Sequence, residues 1–117
     1  VRITLTSKLT NQRVTEGSSF PLTANVYSDS ADVWSLSVPS SLRYRIDDPD
    51  RGCTILDWTT LTPDDENSIV VTGAQNAIQD QCSREERRQL TIQANAGLDT
   101  QYAETFCWSV VNLAGIS

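Results

Sequence analysis

The chain has 117 residues, 38% of them hydrophobic, and a formal charge of −6. That length suits one domain with a real core, and the acidic balance disfavours nucleic-acid backbone as a partner. No apolar run approaches a membrane span, and with no His in the chain the usual zinc sites and His-based triads are excluded.

Val1–Thr4 already reads as a strand rather than a signal peptide. The absence of Met is read as removal of the initiator, so synthesis in a cytoplasm is expected. Arg2–Thr6 sets Ile3 and Leu5 against polar neighbours and predicts a short first strand. Residues 7–18 form a polar connection with half a strand at Arg13–Thr15. Residues 1–19 either pair within the domain or reach out as an arm. Phe20, Leu22, Ala24 and Val26 share one face of a second strand. Residues 28–40 read as a loop closed by Pro39. Trp34, inside that loop, either caps one end of the core or anchors a partner.

The organising stretch is 41–58, SLRYRIDDPDRGCTILDW. Leu42, Tyr44 and Ile46 point one way, and Arg43, Arg45 and Asp47 the other. Asp48-Pro49-Asp50-Arg51-Gly52 supplies turn chemistry, and Cys53–Trp58 returns as a strand. Asp47, Asp48 and Asp50 are expected in a solvated turn, because the run lacks the distal bidentate Glu of a calcium loop. Thr62-Pro63-Asp64-Asp65-Glu66 carries the start signal of a single helical turn. Ser68–Thr72 is a β-branched strand ended by Gly73.

Residues 74–86 read as the crossover between two sheets. A helical turn is expected where Ser83 and Glu86 match a capping box. Leu90, Ile92 and Ala94 then alternate as a strand, and 96–100 form a turn. Tyr102–Leu113 returns with Phe106, Trp108 and Val110 on one face and Cys107, Ser109 and Val111 on the other. The last residues, 114–117, are expected to fray. About seven short strands with no long helix predict a single all-β domain over 1–117: an antiparallel two-layer β-sandwich, immunoglobulin-like or fibronectin-III-like. Trp58 or Trp108 is its core tryptophan.

The fifteen acidic residues offer pairs, but nothing in the sequence marks a cleft. Neither a nucleophile elbow, a P-loop nor a Gly-rich fingerprint is present, and Cys107 has no His to activate it. No enzymatic activity, cofactor or metal is expected. Cys53, Cys82 and Cys107 lack a CxxC spacing. Two are expected as half-buried thiols and one as a loop thiol, all reduced; a Cys53–Cys107 bridge is conceivable but not indicated. Glu85-Glu86-Arg87-Arg88 reads as a surface salt-bridge cluster or as a pair across a subunit boundary. Arg43 and Arg45 belong either to a solvated face or to an interface.

Residues 41–48, Trp58, Ser68–Thr72, Asn76, Glu86–Thr91 and Val110–Leu113 resemble a family of small immunoglobulin-like virion-associated proteins of tailed bacteriophages and prophages. The similarity spans residues 20–116 and consists of core residues and turns rather than a catalytic signature. It implies a structural protein of the virion: a capsid decoration or cement protein on the outside of the head, synthesised in the bacterial host. The implied partners are the major capsid protein or other virion subunits, with self-association in the particle and neither nucleic acid nor membrane. The contact candidates are Trp34, Arg43, Arg45, Arg87 and Arg88, together with strand edges. The alternatives are a neck, tail or fibre-base component and a host-surface or carbohydrate-binding module.

Overall fold

Alternation of apolar and polar residues builds most of the molecule. The described residues form nine strands: β1 (Arg2–Ser7), β2 (Arg13–Thr15), β3 (Phe20–Ser30), β4 (Val33–Leu36), β5 (Leu42–Asp48), β6 (Cys53–Leu61), β7 (Asn67–Val71), β8 (Glu85–Ala94) and β9 (Tyr102–Val111). This computed structural model describes residues 2–30, 33–36, 38–64, 66–80, 82–97 and 101–112, with the backbone alone for residues 2, 10, 28–30 and 33–36.

The strands form a two-layer β-sandwich. One sheet centres on β3, which pairs with β1, β7 and β4. The other runs in the order β2-β9-β8-β5-β6. All pairings are antiparallel except that of β2 with β9. The adjacency of β9, β8 and β5, opposite a sheet holding β1, β3 and β7, is that of an immunoglobulin-like sandwich. Each inner face contributes its apolar phase to one core: Ile3, Leu22, Ala24, Val26, Ile69 and Val71 from the first sheet, Leu42, Ile46, Leu90, Ile92 and Val110 from the second.

Trp108 is the core tryptophan, 2% exposed. Phe20 meets it edge-on at 5.3 Å between ring centroids, a geometry worth about 0.5–1.5 kcal/mol beyond burial. Its indole N–H donates to Asn76 Oδ1 at 2.8 Å. Asn76 Nδ2 in turn donates to the Ser18 carbonyl at 2.7 Å. The buried indole is thereby satisfied, and the crossover after β7 is tied to the start of β3.

Four expectations are corrected. Residues 28–40 are not all loop: β3 continues to Ser30 and turns into β4, with Asp29 in register with Trp34. Hairpin pairing outweighs the poor strand propensity of Ser28-Asp29-Ser30. Trp34 therefore lies on a strand, and its side chain is outside the described residues. The described part of 62–66 has no helical turn, because Asn67 captures it: Oδ1 accepts from the Asp64 N–H, and Nδ2 donates to the carbonyls of Asp64 and Ala24. Nor does Ser83 cap a helix; β8 begins at Glu85. Finally, all three cysteines are exposed and free, rather than two of them half-buried. The turn expected at 96–100 and the fraying end at 114–117 lie partly or wholly outside the described residues. β1 is paired within its own sheet.

Close approach of two backbones fixes one glycine. A Cβ on Gly73 would overlap the Gly17 carbonyl oxygen, where neither partner is a flexible side-chain end. Gly73→Ala should cost about 1–3 kcal/mol, as overpacking of a tight contact does. Chemical denaturation of the variant beside wild type measures it.

Candidate functional site

Two charged neighbourhoods grow out of the β5–β6 hairpin. The first is on the outer face of the five-stranded sheet. Arg43, Arg45 and Asp47 alternate outward along β5, each half-buried. In register across from them stand Gln93, Thr91 and Gln89 of β8. On the other side, β6 is irregular: Asp57 and Trp58 both stand against Arg45, and Ile55 has no register partner. Such bulges re-aim side chains and twist an edge away from pairing. Here they lay Trp58 beside both arginines. The Arg43 guanidinium carbon is 4.2 Å from the centre of the Trp58 ring, and that of Arg45 is 5.5 Å away. Each such contact contributes about 0.5–1 kcal/mol when solvent-exposed.

The two arginines differ in their other partners. Arg45 is bound to Asp47 at 2.9 Å and to Thr54 Oγ1 at 2.7 Å. Arg43 donates from Nε to Gln93 Oε1 at 2.8 Å and ion-pairs no carboxylate among the described residues. Trp58, one of two residues suited to the core on sequence grounds, is instead half-buried on this outer face.

The second neighbourhood is buried. Asp48 and Arg88 are each 0% exposed and Glu86 is 3% exposed. Arg88 donates to Asp48 Oδ2 at 3.3 Å and to Glu86 Oε1 at 2.8 Å. Arg51 closes the ring, reaching Asp48 Oδ2 at 3.0 Å and Glu86 Oε2 at 2.9 Å. Asp48 Oδ1 accepts the N–H groups of Asp50 and Arg51, which shapes the turn. Glu86 accepts the N–H groups of Gln79 and Asp80, and Arg88 also holds the Ala77 carbonyl. Hairpin turn, crossover and β8 are therefore joined through four charged side chains. The expected solvated turn is corrected at Asp48, and the expected surface cluster at Glu86 and Arg88.

The five contact candidates thus separate. Arg43 and Arg45 share one face with Trp58. Arg87 is exposed and pairs with Asp50 at 2.6 Å; its hydrogen bond holds the Asp50 carboxyl below the usual range. Arg88 faces inward and is removed from any contact surface. Trp34 is on β4, with its side chain outside the described residues. Trp58 was missed as a contact residue because a bulge, invisible in composition, turns it outward.

Two open hollows lie on the described surface. One of about 390 Å³ is lined by Arg13, Val14, Thr15 and Val111. Another of about 140 Å³ places Cys107 beside Arg87, Asn11, Gln12, Trp108 and Ser109. Among the described residues, no three His, Cys, Asp or Glu side chains are grouped to hold a metal ion.

No family model matches this chain, and no curated protein does. Among solved structures it is similar to a conjugative transposon lipoprotein from Bacteroides eggerthii DSM 20697. The identity is 15%, with 91% of this chain and 95% of that chain covered, at a TM-score of 0.46. A likeness that loose carries nothing about function.

The buried ring has a defined pH behaviour. Burial alone would push the Glu86 carboxyl up; the N–H of Gln79, the Arg88 guanidinium and the N–H of Asp80 outweigh it and hold the carboxyl below its ordinary value of 4.5. A carboxyl depressed in the folded state stabilises the fold above its unfolded pKa, and that contribution is lost as pH falls through the folded pKa. Unfolding free energy should therefore be level near neutrality and fall below about pH 4.5, with a shallower fall in Glu86→Gln. Asp48→Ala leaves Arg88 with one fewer buried carboxylate and should cost about 3–5 kcal/mol. Denaturant titrations across pH read both effects.

Proposed function

We propose that this chain is a non-enzymatic structural protein of a tailed-phage virion, a decoration or cement protein that stabilises the head by bridging coat subunits. The observation that carries the reading is the outer face of the five-stranded sheet. Polar Thr and Gln side chains surround an arginine–tryptophan stack there, on a sandwich whose described residues bring no nucleophile, base and acid together. Such a face suits docking rather than turnover, since aromatic and arginine side chains concentrate binding energy at interfaces.

The resemblance to virion-associated proteins supplies the setting, and the contact set is Trp34, Arg43, Arg45 and Arg87, with Trp58 added and Arg88 withdrawn. Adhesion of this kind needs no cofactor. The edge strand β6 contributes less than its length suggests, because its bulges interrupt the ladder that a neighbour would extend.

Co-sedimentation of the purified protein with expanded capsids that lack it, beside isolated tails, tests the reading. Saturable binding to heads at high copy number is the expected result. Binding confined to tails, or to a few copies per particle, would replace it with the neck or tail reading, and binding to neither would overturn both.

A further inference from the structure

Five arginines of this protein are spent on its own acids. Arg13, Arg45, Arg51, Arg87 and Arg88 each hold a carboxylate of the same chain. Arg43 is different. Its Nε is fixed to Gln93 and its plane is held on Trp58. The guanidinium is thus oriented from two sides, and neither contact is a carboxylate.

The carboxylates around it are engaged by other groups: Asp57 of β6 accepts the Trp58 N–H. On the same face Asp47 is taken by Arg45, and Asp50, at the hairpin tip, is taken by Arg87. A chain of net charge −6 therefore carries, near one end of β5 and beside the edge strand β6, a guanidinium with no ion-pair partner among the described residues. A guanidinium presents its donors in a rigid fork that matches a carboxylate, and preorganising it lowers the cost of binding.

We propose that Arg43, stacked on Trp58 and tethered to Gln93, is the docking point for an acidic segment of a partner protein, one of whose carboxylates enters the free side of the guanidinium. The inference deepens the adhesion reading above and rests on it for the existence of a protein partner. A sugar is the poorer occupant: stacking a pyranose needs an open aromatic face, and Arg43 lies 4.2 Å from the centre of this ring. Charge complementarity favours the acidic segment, and because the protein's net charge repels such a segment, any binding reports a local site.

Amide and side-chain NMR titration of the whole chain with a peptide of alternating Glu and Ser tests the proposal. Alternating Gln and Ser and a sulfated oligosaccharide are the comparison probes. The Glu peptide should shift the Trp58 indole, Arg43 Nε and Gln93 side-chain signals saturably, and added salt should weaken it. Arg43→Gln should weaken binding about tenfold, the scale of one charge-assisted contact, and Arg43→Lys should not restore it, because the ammonium lacks the fork. Arg13→Gln, which removes an exposed arginine elsewhere, should leave binding unchanged.

Equal binding by Arg43→Gln, shifts spread over all arginines, preference for the sulfated sugar, or concentration-dependent shifts of this face without peptide would each overturn the proposal. The last would make a second copy the occupant. Failure is separable from that of the virion reading: capsids bound equally well by Arg43→Gln would remove this face alone. Peptide binding at Arg43 without capsid binding would remove the virion reading alone.

Discussion

Three buried charged side chains, Asp48, Glu86 and Arg88, with the exposed Arg51 closing the ring over them, are the constraint on which the rest depends. Two acids and two arginines sum to zero, and Arg51 meets both acids from the solvent side, which offsets the penalty of burying a second carboxylate beside a single arginine. Every carboxylate oxygen in it accepts at least one hydrogen bond. The accounting is not complete, since Arg88 Nε is buried without a partner. A cluster of this kind adds less net stability than its count of bonds suggests, because desolvation offsets much of the attraction. What it provides here is connection: Asp48 belongs to a hairpin turn, Glu86 and Arg88 to β8, and the N–H groups they hold to the crossover.

That connection frames the outer sheet face. The crossover cannot lift without releasing Glu86, and the hairpin cannot shift register without moving Asp48. With both fixed, β5 presents Arg43 and Arg45 at a set spacing, and the bulges of β6 bring Trp58 against them. The buried ring and the exposed stack are two sides of one hairpin, the first giving rigidity and the second something to bind with. The core tryptophan acts in parallel on the other flank, where Asn76 joins Trp108 to the chain around Gly17 and Ser18.

Much of this was legible in the sequence. Period-two patterns located β1, β3, β5, β8 and β9 and the two faces of each, β-branched composition located β7, and turn chemistry located the 48–52 hairpin, where Gly52 takes φ of 67°. Arg43 and Arg45 were correctly placed on one outward face. The buried ring was missed although its signal was present. Asp48 continues the phase of Leu42, Tyr44 and Ile46, and Glu86 and Arg88 continue the phase of Leu90 and Ile92. Charge was allowed to overrule periodicity, whereas complementary charges on adjacent strands can follow the pattern inward together. Strand β4 was missed because pairing partners, rather than propensity, stabilise it. The position of Trp58 depended on a bulge, and bulges leave little trace in composition.

Native-state hydrogen exchange at the Gln79 and Asp80 amides tests most directly whether the buried ring locks the crossover. Both donate to Glu86 from a stretch with no strand of its own. Exchange only through global unfolding, with the protection of the Leu90 amide in the middle of β8, is the result this account predicts. Exchange as fast as that of an unprotected amide would contradict it, because the crossover would then open while the sandwich stayed folded.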